Sequence, residues 1–144
     1  MKSSRDSART LYLMHVLTHT TRARLDESLR EFDLSSFQYT ILSVLEHNPR
    51  LSSAGLSRRF QVTPQSMGEV VALLERKGMI FRIEDENNRK VLLLGLTEAG
   101  LAATKAGDAV VDELETSMFS KLSKKEAAQF RETLSKLLAQ FRPG

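Results

Sequence analysis

Apolar residues recur at mixed spacings of three and four along most of the chain, with one break where the period shortens to two. That alternation predicts a mainly helical protein with a single β-hairpin. The first helix is expected from about Ser7 to Phe32, carrying Leu11, Met14, Thr18, Thr21, Leu25, Leu29 and Phe32 on its apolar side. At 1.5 Å per residue it would approach about 39 Å, more than a small domain needs, so it should pack against more than its own domain. Ser35 and Gln38 have the spacing of a capping box and open a second helix through Phe37, Ile41, Leu42, Val44 and Leu45; His47-Asn48-Pro49 closes it.

A short third helix follows from Leu51-Ser52-Ser53 to about Arg59, with Ser52 or Ser53 as cap. After Phe60-Gln61-Val62, Thr63-Pro64 starts a fourth. Threonine accepts a bond from a free helical N–H, and proline loses nothing at the first helical position. Lys77-Gly78 ends that helix with a basic last turn and a glycine cap. Met79–Ile83 and Val91–Leu96 then read as two strands, and Glu84–Lys90 as a polar turn between them. Thr97-Glu98 caps a fifth helix to about Phe119, and Ser123 with Glu126 boxes a sixth, which stops at Arg142-Pro143-Gly144. The hairpin and the two helices before it form a helix-turn-helix with a wing, flanked by helices on both sides.

Composition narrows the function. The chain has 144 residues, 41% of them hydrophobic, enough for a packed core. It has no cysteine, which excludes disulfides, thiolate metal sites and thiol switches. No apolar run approaches the roughly 20 residues of a membrane span, and Met1–Thr10 lacks an apolar signal core, so the expected location is the cytoplasm. The net charge of +3 permits an anionic partner without proving one. No nucleophile–base pair, phosphate loop or paired carboxylates stand in a recognisable frame, so no enzyme is expected and no cofactor is implied. His15 and His19 lie four apart on one helix face, but no third ligand accompanies them, and no metal site is expected.

A helix entering the major groove presents its N-terminal residues to base edges, and a hairpin beside it can reach the minor groove. The stretches Leu34–Leu45 (LSSFQYTILSVL), Leu56–Ile80 (LSRRFQVTPQSMGEVVALLERKGMI) and Arg89–Gly100 (RKVLLLGLTEAG) resemble the MarR family of transcriptional regulators, and the resemblance spans essentially the whole chain. It implies an N-terminal dimerisation helix over 1–33, a winged helix-turn-helix DNA-binding domain over 34–97 and C-terminal dimerisation helices over 98–144. It further implies a homodimeric repressor whose two recognition helices reach successive major grooves of a palindromic operator in double-stranded DNA. An intramolecular bundle could use the same apolar stripes.

For DNA contact the resemblance points to Ser53, Arg58, Thr63, Pro64, Gln65, Ser66, Gly68, Glu69, Arg82, Asn88, Arg89 and Lys90. Ordinary solvent-facing polarity is the lesser alternative for Gln65 and Ser66. Two positions depart from the family. Glu69 is acidic where many relatives are basic; it could accept from a cytosine amine or pair with an arginine. The wing's usual Asp-x-Arg is here Asn88-Arg89-Lys90, which puts the usual bracing of the wing in doubt. Glu84, Asp85 and Glu86 at the tip would repel phosphate if they faced it. From Arg58 to Lys90, the basic residues Arg58, Arg59, Arg76, Lys77, Arg82, Arg89 and Lys90 only slightly outnumber Glu69, Glu75, Glu84, Asp85 and Glu86. These departures leave open a helical interaction protein that kept the fold and lost specific operator binding. Members of the family commonly respond to a small aromatic (often phenolic) or carboxylate effector. His15, His19, Arg22 and Tyr39 are the positional candidates for it here, though packing or interface roles suit them better.

Overall fold

The computed structural model describes residues 8–142. The elements run α1 (Thr10–Leu29), a 3-10 turn (Arg30–Phe32), α2 (Ser36–His47), α3 (Ser53–Phe60), α4 (Pro64–Arg76), β1 (Ile80–Asp85), β2 (Asn88–Leu96), α5 (Glu98–Met118) and α6 (Lys124–Ala139). This is the mainly helical order with one antiparallel hairpin that the periodicity predicts. Both capping boxes form: Ser35 and Ser123 each accept from the backbone N–H three residues on, and Gln38 and Glu126 reach back to the cap N–H. Of the two candidate caps for α3, Ser52 takes the role, accepting from the Gly55 N–H at 3.0 Å.

Three expectations need correction. The first helix ends at Leu29, about 30 Å long, because the chain tightens to a 3-10 turn and Asp33 then takes the left-handed conformation at φ 55°. Its expected start at Ser7 lies outside the described residues, as do Pro143 and Gly144. The narrow apolar stripe expected on α1 is also too simple. Leu11, Tyr12, Leu13, Met14, Val16 and Leu17 point to every side of the N-terminal half, and all are exposed on the chain taken alone. The third correction concerns the wing. Glu84–Lys90 is not a turn: the strands extend through it, leaving only Glu86 and Asn87 between them.

The core gathers Leu29 of α1 with Leu42 and Leu45 of α2, Leu56 of α3, Met67, Val71 and Leu74 of α4, and Ile80 and Leu94 of the hairpin. Each helix gives one face to it, as amphipathic helices must. Residues 51–52 add a short third edge to the hairpin: Ser52 bridges Leu93, and the Leu94 N–H donates to the Leu51 carbonyl at 2.8 Å. That edge ties the wing to the start of α3. Helix α6 buries no residue within the chain; Leu134, Leu137 and Leu138 stay exposed along it, as does Phe141 just beyond its end.

The wing joins α5 through one crowded point. The Thr97 N–H donates to the Met79 carbonyl at 3.1 Å. The Thr97 hydroxyl donates to the Gly78 carbonyl and accepts from the Gly100 N–H, which caps α5. Gly100 lies directly against the Met79 carbonyl, with no room for a β-carbon.

Candidate nucleic-acid interface

Helix α4 begins on a well-formed cap. The Thr63 hydroxyl accepts from the Ser66 N–H at 3.1 Å and donates to the Ser66 hydroxyl at 2.9 Å. Pro64 follows at the first helical position. Met67, Val71 and Leu74 are buried. The opposite side therefore faces out, and Gln65, Gly68, Glu69, Ala72 and Arg76 succeed one another along it at helical spacing. Thr63, Pro64, Gln65, Ser66 and Glu69 are all exposed, and Gly68 half-buried.

Gly68 is informative. A mid-helix glycine costs about 1 kcal/mol relative to alanine. Packing reasons for a helical glycine are steric, yet a β-carbon built here would meet nothing within 4 Å. Nothing inside the protein requires the missing side chain. What it provides is a flat spot on the outward stripe, where another surface could approach the helix backbone.

The wing is braced, though by other residues than the family's pattern suggests. The Arg50 guanidinium, in the turn after α2, meets the Asp85 carboxylate at 3.1 Å. The same carboxylate accepts the Asn87 N–H at 3.0 Å, closing the turn. Asp85 is thus occupied within the protein rather than aimed at a phosphate. The ladder pairs Glu84 with Leu92 and then Asp85 with Asn88, so Arg89, Lys90 and Val91 form a bulge on β2. Bulges bend a strand and redirect its side chains. Arg89 and Lys90 are both exposed there, and the Lys90 N–H donates to the Asn88 side chain at 3.2 Å.

Ser53, Arg82 and Lys90 come together. They line a groove of about 280 Å³ between the start of α3 and the wing, with Ser52 and Leu92. Arg82 is oriented by Glu75 of α4 at 3.2 Å, which couples the wing to the recognition helix. Arg58 is exposed on the last turn of α3. Glu69 has no ion-pair partner among the described residues, so the pairing with an arginine considered for it does not form. Lys77 turns inward at the end of α4: its ammonium donates to the Asp33 carbonyl at 2.6 Å and to Gln38 at 3.2 Å.

The four effector candidates are not brought together. His15 and His19 are exposed on successive turns of α1, their rings stacked at 6.5 Å, and Arg22 is exposed a turn further on. Tyr39 is buried between α2 and α5, where its hydroxyl donates to the Asp108 carboxylate. A separate apolar groove of about 460 Å³ runs between α1, α5 and α6, lined by Leu13, Leu17, Leu114, Met118, Phe130 and Leu134 among others; none of the four lines it. Among the described residues no three metal-ligating side chains cluster, and no helix is long and apolar enough to cross a membrane.

Sequence reasoning missed Arg50 and Arg76 as parts of this surface. Arg76 was visible, eleven residues from Gln65 on the same helical face. Arg50 was not, since its partner is 35 residues away and no local spacing marks the pair.

A capped helix with an outward polar stripe, set behind a shorter helix and beside a basic hairpin, defines a winged helix-turn-helix protein of the DNA-binding class. Residues 32–90 match the family model described as MarR family. The chain is 30% identical over 132 residues to the HTH-type transcriptional repressor Rv2887 of Mycobacterium tuberculosis, covering 92% of this chain and 95% of that one. It superposes on Staphylococcus aureus MepR, in a crystal structure of a MepR–DNA complex, with TM-score 0.82 and 27% identity over 92% of this chain and 96% of MepR. The apo form of MarR from E. coli shares the fold, with TM-score 0.78 at 21% identity, covering 91% of this chain and 98% of MarR. The chain belongs to the MarR family of winged-helix, DNA-binding transcriptional regulators.

Proposed function

We propose that this regulator is a repressor that binds a palindromic operator as a homodimer, with its two α4 helices in successive major grooves and its wings alongside. The observation that carries the reading is the outward stripe of α4, with Gly68 left open where no internal contact asks for it. The groove shared by Ser53, Arg82 and Lys90 supports a backbone contact beside it, because phosphate is held by cations and polar groups that fix register. The all-round apolar half of α1 and the unburied α6 favour a second copy, since a helix apolar on every side belongs in an interior. The named repressor among its relatives supports the sign of regulation. Release by a small aromatic or carboxylate effector rests on the family alone, with His15, His19, Arg22 and Tyr39 as its candidate contacts.

Selection of bound fragments from random DNA tests the whole reading. A two-fold symmetric consensus is expected; an enriched pool without symmetry would contradict the operator geometry. Two variants test the surface. Arg89→Ala should weaken operator binding about tenfold and lower its salt dependence by about one ion, while Arg142→Ala changes affinity less than about twofold. Equal losses would remove the wing from the interface.

Gly68→Ala should act in opposite directions on two measurements. Thermal or chemical denaturation should show a gain of about 0.5–1 kcal/mol from better helix propensity. Fluorescence anisotropy should show about a tenfold loss of operator affinity, because the methyl group holds the helix away from the groove. A gain in stability with unchanged affinity would place α4 elsewhere.

A further inference from the structure

The DNA-binding unit meets α5 at a second close point, beyond the Gly100 junction. Gly107 lies under the ring of Tyr39, and a β-carbon there would come within 2.4 Å of a ring carbon. The ring is 8% exposed, and its hydroxyl donates to the carboxylate of Asp108, the next residue on α5. Burial first, and the Asp108 carboxylate second, hold that hydroxyl protonated well above the usual tyrosine range. It therefore stays a donor at any ordinary pH. Ring packing fixes the distance between α2 and α5, and the charge-assisted bond fixes the rotation of one about the other. Helix α2 shares the common core with α3 and α4 and packs chiefly on β2 and α5, while α5 adds Ala103, Val110 and Val111 to that core and continues into the exposed apolar groove shared with α1 and α6. Leu42 and Leu45 of α2 share the core with Met67 and Leu74 of α4, so the angle between α2 and α5 also orients α4 relative to α5.

We infer that Tyr39, Gly107 and Asp108 are positioning residues that set the separation of the two recognition helices, and so the half-site spacing this regulator accepts. The inference rests on the homodimer reading above. None of the three touches DNA. Their effect is on which arrangement of half-sites is bound, not on which bases are read. Spacing is a geometric property of a dimer on DNA, since inserting one base pair both lengthens and rotates the site.

The test uses the full-length protein and the consensus from the selection, rebuilt as a series with base pairs inserted or deleted between the half-sites. The unaltered protein should lose at least about tenfold in affinity for each one-base-pair change. Tyr39→Phe, which keeps the ring and drops the donor, should flatten that profile to less than about threefold while reading the same half-site bases. Asp108→Ala should do the same, and the double variant should be no flatter than either single one, because both remove one bond. Gly107→Ala should move the optimum to a different spacing by forcing ring and helix apart. Asp112→Asn, one turn further along α5 and not bonded to Tyr39, should leave the profile unchanged. Profiles of Tyr39→Phe and Gly107→Ala identical to the unaltered protein would overturn the inference. An unaltered protein indifferent to spacing would instead overturn the dimer reading on which it rests. Thermal denaturation of each variant separates a changed profile from a chain that is merely less folded.

Discussion

Leu17→Asp is expected to leave a monomer that has lost at least about a hundredfold in operator affinity, because one half-site then has to be held without the help of the other. Leu17 closes the apolar run Leu11–Leu17, near the middle of α1, and lines the groove between α1, α5 and α6. On the chain alone it is 47% exposed, and Leu11 and Leu138 more so. A soluble protein rarely leaves so large a contiguous apolar surface uncovered. If a second copy covers it, a carboxylate at its centre must be taken out of water with no partner, at a cost of several kcal/mol. Light scattering or sedimentation reads the mass, and anisotropy on a full operator and on a single half-site reads the affinity. The half-site affinity should be nearly unchanged, since α4 and the wing are untouched. A dimer of unaltered mass would show that α1 is covered in some other way.

The second large effect is on folding. Gly100→Ala is expected to destabilise the protein by about 3 kcal/mol, near the upper end of what an inserted methyl group does in a tight site. Its β-carbon would be placed 1.9 Å from the Met79 carbonyl oxygen. That carbonyl cannot easily retreat, because it accepts the Thr97 N–H, and Thr97 also grips Gly78 and caps α5. Moving the carbonyl therefore loosens the end of the hairpin and the start of α5 together. For a chain of this size the thermal midpoint should fall by about 10 °C. Gly95→Ala is a useful contrast: the atoms it would meet belong to the Phe81 ring, an exposed side chain that can swing aside. A Gly100→Ala protein as stable as the parent would mean that the junction is not packed as described.

Much of this was legible in the sequence where the physics is local. Ser35 with Gln38, Ser123 with Glu126, and Thr63 before Pro64 each announce a helix start within four residues, and all three form as read. The outward face of α4 follows from the same periodicity that buries Met67, Val71 and Leu74. What was not legible depends on residues distant in the chain. The bulge carrying Arg89 and Lys90 is a matter of register between strands, and a polar run gives no sign of it. Asp85 looked like a phosphate repellent until Arg50 came to it across 35 residues. The bond from Tyr39 to Asp108 was not legible either, because 69 residues separate the two. The apolar surround of α1 could have been counted from Leu11 to Leu17, but a search for one stripe hides residues on the other sides.

Arg50 and Lys77 each hold a carboxylate of their own chain, on Asp85 and Asp33. Cations already spoken for exchange few condensed ions when the duplex arrives, and each phosphate neutralised adds only about 0.9 to the logarithmic salt slope. Promoter occupancy by such a protein should therefore stay comparatively level as the surrounding potassium rises and falls, an osmotic tolerance that a more lavishly basic relative would lack.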